Sequence, residues 1–233
     1  DYDNDGNLDL FVGTYGKNHL YHNNGSGGFE DVAAKLGLDE NGLTVGSSWG
    51  DFDNDGRIDL YITQYISGVP HGQDRLYRNI ADGFVNVLPE NIGKVDGDHG
   101  VQWVDYDADG DLDLSLASNV KEGNHFIFRN NLKSTAGHAL QVLVLDRNGH
   151  QTRAGSEVRI FESSTGRLLG TRLVDTGGGY NAQNALPVHF GLTDLNMLDV
   201  EVTFMTNKGR EKYLIRKIDP RKIKGDYLIF KEP

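Results

Sequence analysis

The sequence contains no cysteine, which removes disulfide staples and thiolate metal sites together. Any metal must be held by oxygen or histidine. The longest apolar run, ALQVLVL from Ala139 to Leu145, falls far short of the roughly 20 residues that a membrane-spanning helix needs, so no membrane insertion is expected. Cationic surplus is missing as well: the net charge is −11, and nucleic acid, which is bound through clustered Lys and Arg, is not an expected partner. Helical periodicity is scarce, the clearest exception being DVAAKLGL at 31–38. No nucleophile elbow, zinc-binding helix or dinucleotide fingerprint occurs, and no enzyme activity is expected of this chain.

What is present is acid in repeats. The 233 residues leave room for one large or two ordinary domains with packed cores. Residues 1–136 hold 9 Lys+Arg against 23 Asp+Glu, whereas residues 137–233 hold 14 against 11. The acid lies in DYDNDGNLDL from Asp1, DFDNDGRIDL from Asp51 and DYDADGDLDL from Asp105, a period of about 50 residues that signals an array or propeller. After each loop comes a β-prone run, LDLFVGTYG, IDLYITQYI or LDLSLASNV, and then a second pattern, HLYHNN, RLYRNI or HFIFRN. TVGSSWG and GVQWV stand before the second and third loops. Residues 23–28, NNGSGG, are read as a hairpin turn.

Alternation and Gly/Asn punctuation favour strands, and one repeat reads as four of them, at about 44–50, 57–64, 74–79 and 83–88. Four strands per repeat is a propeller blade. The expected fold is therefore all-β: a partial β-propeller of about three integrin-like blades, two of them incomplete, over residues 1–136, followed by a small β-sandwich-like domain over 137–233. Composition changes near 134–137, the expected boundary. Beyond it, strand-like runs fall at 139–146, 156–163, 168–175, 185–190, 198–205, 211–216 and 226–231. Propellers close with about four to eight blades, so further blades, and any signal peptide, are expected upstream of Asp1.

In the second loop Asp51, Asp53, Asp55, Arg57 and Asp59 occupy positions 1, 3, 5, 7 and 9, with Gly56 at position 6. This is the spacing of an oxygen-only calcium loop, in which position 7 offers its main-chain carbonyl and glycine permits the bend. The same assignment selects Asp1, Asp3, Asp5, Asn7 and Asp9 in the first loop, and Asp105, Asp107, Asp109, Asp111 and Asp113 in the third. Hard oxygen donors suit Ca2+ better than zinc or copper, and about three ions are expected. Position 12 is Val12, Ile62 or Leu116, so the helix and glutamate of an EF-hand are missing. The competing readings are a solvated acidic turn and a pair of catalytic carboxylates. Three copies in register count against the first; convergence on one point counts against the second.

The units D-x-D-x-D-G-x-x-D-L, with L-Y-x-N-N following, resemble the FG-GAP/VCBS-type repeats of integrin-like propellers. RAGSEVRI at 153–160, GGGYNAQN at 177–184 and HFGL at 189–192 resemble the ASPIC/UnbV module of the cartilage acidic protein-like family. Such modules often carry a second glycine where this sequence has Thr193, and Trp-Pro where it has Phe204 and Met205. The resemblance implies a seven-bladed, calcium-binding propeller that is secreted, periplasmic or at the cell surface, and that binds a protein or glycan ligand in adhesion rather than catalysing a reaction. The alternative is the non-catalytic part of a carbohydrate-active enzyme, such as a lyase, with its active site upstream.

Among other features, Trp49 and Trp103 precede their loops by two residues and are expected to pack between blades. Gly177–Gly179 reads as a tight turn or close backbone approach, with Tyr180, Asn181, Gln183 and Asn184 beside it as a candidate polar binding edge. Asn24-Gly25-Ser26 is a formal glycosylation sequon, and the basic run at 216–227 reads as a solvated surface.

Overall fold

Alternation along the strands decides where each side chain goes, and the sheets follow from it. The computed structural model of the chain describes residues 1–65, 74–92, 98–118, 125–132, 138–175, 177, 179–180, 187–223 and 227–233, the side chains of 98 and 99 excepted. The first repeat supplies β1 (Leu10–Val12), β2 (Tyr15–Lys17), β3 (His19–Asn23), β4 (Phe29–Asp31) and a one-turn helix α1 (Ala33–Leu36). The second supplies β5 (Asn41–Gly50), β6 (Asp59–Gln64), β7 (Arg75–Ile80) and β8 (Gly83–Asn86), and the third β9 (Asp98–Val104), β10 (Asp113–Ser118) and β11 (His125–Phe128).

The middle repeat is a complete four-stranded antiparallel blade in the order β5-β6-β7-β8. On either side stand three-stranded sheets, β1-β3-β4 and β9-β10-β11. Strand β2 was not expected; it pairs with the start of β5, Tyr15 opposite Leu43, and ties the first repeat to the second. The β3–β4 hairpin closes through Asn24, whose side-chain oxygen accepts from the amides of Ser26 and Gly28.

Strand β6 is buried at every position because alternate residues feed two different cores. Leu60 and Ile62 pack with Leu20, Leu38 and Phe84 between the first and second blades, whereas Tyr61 packs with Val101, Leu114 and Leu116 between the second and third. The tryptophans do lie between blades. Trp49 meets Phe11 and Phe84 edge-on at 6.1 and 5.9 Å, and Trp103 stacks on Phe52 at 6.2 Å. Trp103 fits because Gly50 has no side chain; a Cβ there would lie 2.5 Å from its ring.

The C-terminal half forms two facing sheets. One contains β12 (Ala139–Leu145), β15 (Val188–Gly191) and β18 (Leu228–Lys231); the other contains β13 (Glu157–Glu162), β14 (Leu168–Leu173), β16 (Leu198–Thr206) and β17 (Gly209–Ile218). Inward residues of both sheets, among them Val142, Ile160, Phe190, Val202, Phe204 and Phe230, share one core, as expected of a sandwich. Each such side chain contributes about 1.5–3 kcal/mol of burial. The chain is thus all-β, a partial propeller followed by a sandwich. The expected boundary at 134–137 lies outside the described residues, as do 181–184 of the expected polar edge. Gly179 does make the close approach: a Cβ there would sit 3.3 Å from the Ser47 carbonyl oxygen. In the basic run, Arg221 folds back on Asp219, Nε to Oδ1 at 2.7 Å.

Candidate metal centres

The acidic loops share one backbone path. In each, positions 4 and 6 are left-handed: Asn54 has φ 54° and Gly56 φ 88°, with Asn4, Gly6, Ala108 and Gly110 matching them. The bend points loop amides at the first carboxylate. Asp51 accepts from Asp55 N at 3.0 Å and Gly56 N at 2.9 Å, and Asp105 accepts from Asp109 N and Gly110 N at 3.1 and 3.0 Å. Asp1 accepts from Gly6 N. The position-9 carboxylate ties loop to sheet, since Asp59 takes Phe52 N at 3.1 Å and Asn79 N at 2.8 Å. Asp9 and Asp113 do the same with Tyr2 and Asn23, and with Tyr106 and Asn130.

This path brings positions 1, 3 and 9 together. Asp1, Asp3 and Asp9 each offer an oxygen within 4.8 Å of the others, and so do Asp51, Asp53 and Asp59, and Asp105, Asp107 and Asp113. Position 5 is turned to the amide of position 7: Asp5 to Asn7 N, Asp55 to Arg57 N and Asp109 to Asp111 N, at 2.7, 3.0 and 3.1 Å. Asp5 also groups with Asp3 and His22. The position-7 side chains point elsewhere. Arg57 pairs with Asp55 and donates to the Asn79 carbonyl, Asn7 donates to Asp5, and Asp111 accepts from Asn54 at 2.8 Å.

Two sets of residues escaped the sequence reading. A basic side chain stands on the position-3 carboxylate of every loop: His22 Nδ1 lies 3.5 Å from Asp3, Arg78 Nε 2.6 Å from Asp53 and Arg129 Nη2 2.7 Å from Asp107. Next to each stands an asparagine that fastens the blade. Asn79 donates to the carbonyls of Ile58 at 3.1 Å and Tyr2 at 2.7 Å, and Asn130 to Leu112 at 3.2 Å and Phe52 at 2.7 Å. Asn23 donates to Leu8. The position-4 asparagines add a second link between successive loops, Asn4 to the Gly56 carbonyl at 2.9 Å and Asn54 to Asp111. The signal was the recurring basic-Asn pair in HLYHNN, RLYRNI and HFIFRN.

The sandwich rests on all three loops. Arg159 donates to the Gly6 carbonyl at 2.9 Å, Gln141 to Asp105 at 2.5 Å, and His189 Nε2 to the Gly110 carbonyl at 3.1 Å. Gly191 lies so close to the second loop that a Cβ would sit 2.1 Å from Asp51 Oδ2.

Burial of so many carboxylates raises their pKa values. Desolvation lifts Asp51 to about 7 and Asp59 to about 9, and it raises Asp3, Asp53, Asp105 and Asp113 above the usual carboxyl range too. Among the described residues, Asp1 Oδ2 and Asp53 Oδ1 are buried with no hydrogen-bond partner. A buried charged oxygen without a partner is costly, and what fits beside it is a cation.

Residues 1–62 match the FG-GAP-like repeat family. The match runs from the first acidic loop through the second and into β6, so the FG-GAP-like pattern covers the joint between the first and second blades. The third loop repeats the same geometry beyond it. No curated protein matches the chain.

Proposed function

We propose that the three acidic loops are calcium sites and that the chain is a non-catalytic, extracellular binding module whose blades the ions hold in place. The observation that carries this reading is the threefold recurrence of one cluster, positions 1, 3 and 9 within 4.8 Å, two of whose residues, Asp1 and Asp53, each have a buried oxygen with no hydrogen-bond partner among the described residues. The donors are carboxylates, which suit calcium rather than a soft metal. Bound calcium would supply charge neutralisation and a cross-link between the strands flanking each loop. Asp1, Asp51 and Asp105 hold the bend, and Asp9, Asp59 and Asp113 carry the link to the third strand of their blades. FG-GAP-like repeats are typically extracellular, and the resemblance of the C-terminal half to ASPIC/UnbV modules fits a surface that presents a protein or glycan ligand.

With calcium at about ten times the dissociation constant, each site adds roughly 1.4 kcal/mol, so three rival the net stability of a domain. Calorimetric titration with calcium, paired with thermal melts in calcium and in chelator, tests the reading. About three sites and a calcium-dependent rise in melting temperature are expected. No heat of binding up to about ten millimolar, beyond the weak end of extracellular modules, would overturn it.

A further inference from the structure

The first loop differs from the other two in the side chain that faces its position-3 carboxylate. Arg78 and Arg129 meet Asp53 and Asp107 at 2.6 and 2.7 Å, whereas the first blade has His22 in that place. A guanidinium has no lone pair to give a metal, and a neutral imidazole has one.

Strand β3 holds His22 in register opposite Glu30, and its ring stands edge-on to that of Tyr2. Nδ1 lies 3.5 Å from Asp3 Oδ2 and 3.4 Å from Asp9 Oδ1. These separations are longer than the charge-assisted bonds that the arginines make. Nδ1 is buried, and among the described residues it has no hydrogen-bond partner. They are instead the separations of ligands around one ion: two donors bonded at about 2.0–2.2 Å to a tetrahedral zinc stand about 3.3–3.5 Å apart. A donor that encloses a bare ion in this way needs no surface open to water. Asp5 groups with Asp3 and His22 within 4.8 Å. Asp1, 8% exposed, adds a buried Oδ2 with no hydrogen-bond partner among the described residues. The other carboxylates are already aimed by amides: Asp3 accepts from Asp5 N, Asp5 from Asn7 N, and Asp9 from Tyr2 N and Asn23 N. Such contacts orient a metal ligand and leave its oxygens lone pairs to give.

We propose that the first loop is a transition-metal site, which takes zinc in preference to calcium through His22 Nδ1, Asp3 and Asp9, with Asp5 beside them. Imidazole nitrogen is a donor that zinc favours, whereas calcium is a hard ion that collects about six to eight oxygens. The second and third loops, with arginine in place of the imidazole, offer oxygen alone and stay with calcium. The assignment rests on the reading of the loops as cation sites and departs from it in the metal that the first one holds.

Calorimetric titration of the full chain with zinc chloride in saturating calcium tests it. One zinc ion per chain is expected, bound more tightly than any calcium ion, and a calcium titration in excess zinc should lose one site. His22→Gln and His22→Arg should each weaken zinc binding by about tenfold or more and leave the calcium sites of the other two loops unchanged. Arginine stands in that place in both other blades, so His22→Arg carries the test if the glutamine variant fails to fold. His19→Gln removes the other histidine of the strand, which is paired with Asp31 at 2.6 Å, and should leave zinc binding as it is. The assignment is overturned by zinc bound no more tightly than calcium, by zinc that ignores both His22 variants, or by zinc lost with His19→Gln. His22 would then be a counterpart of the two arginines. Calcium sites without a zinc response would overturn this assignment alone, whereas zinc held through His22 in a chain that takes no calcium would uphold it and overturn the calcium reading.

Discussion

The side-chain amide of Asn79 donates at 2.7 Å to the main-chain carbonyl of Tyr2, 77 residues earlier and one blade away. Its second bond, to Ile58, fixes it to its own loop, so one side chain joins two repeats at the base of their acidic loops. Asn79→Ala would leave two carbonyls without their donor, one of them buried. At about 1–3 kcal/mol per unsatisfied group, a loss of about 2–4 kcal/mol is expected in urea denaturation, with Asn79→Asp no better because a carboxylate cannot donate.

Asp53 belongs to the second cluster, and among the described residues its buried Oδ1 finds no hydrogen-bond partner. Asp53→Ala is expected to lower the melting temperature substantially in calcium and much less in chelator, where only the pair with Arg78 is lost. Equal losses in both buffers would remove calcium from the account of that loop.

Arg78 and Arg129 occupy the position-3 carboxylates that a calcium ion would claim. Replacing a partly exposed ion pair worth about 0.5–1 kcal/mol with a neutral side chain converts to about 2–5-fold in affinity. Arg78→Gln should therefore tighten calcium binding at one site by that factor, read by calorimetry, while lowering stability slightly in chelator. Weaker binding would make the arginine a support of the site rather than a competitor.

Stability without calcium should fall as pH rises. The folded-state pKa values of Asp51 and Asp59, about 7 and about 9, lie above the roughly 3.9 of an unfolded aspartate, so between those limits the folded chain binds more protons than the unfolded one. The linkage slope is then negative: these groups cost nothing below about pH 4 and progressively more toward pH 9. Denaturation midpoints in chelator should drop across that range, and calcium should flatten the dependence.

Ala108 holds the left-handed position that asparagine fills in the other loops, with φ 57°. A non-glycine residue there is strained by about 1–2 kcal/mol, part of which glycine would return as backbone entropy. Ala108→Gly should raise stability by about 0.5–1 kcal/mol, measured by chemical denaturation.

Much of this was legible in the sequence. The strands of the middle blade and of the sandwich lie where the sequence placed them; ALQVLVL shows plain period-2 alternation, with Leu140, Val142 and Val144 as the buried set, whereas β6 and β15 are buried at every position. Strand β2 was not, because Tyr15-Gly16-Lys17 carries no alternation and is defined only by its pairing with Asn41–Leu43. In the loops, the spacing named positions 1, 3, 5, 7 and 9 alike; the carboxylates of 1, 3 and 9 meet in all three, whereas that of position 5 is turned to the amide of position 7. The partners of those carboxylates did not come from spacing: Arg78 reaches Asp53 and Asn130 reaches Phe52 through strand register, which repeats in the sequence only as an unexplained basic-Asn pair.

The seating of the sandwich on the loops ties the histories of the two halves together. Gly191 leaves no room for a side chain beside Asp51, Arg159 and His189 read main-chain carbonyls at the sixth position of two loops, and Gln141 spends its amide on a carboxylate of the third. A sandwich of this kind could not be exchanged for another by recombination at the junction, however well each half folded, unless the incoming partner matched those four points. The acidic repeats and the domain that follows them are therefore bound to vary as one inheritance rather than two.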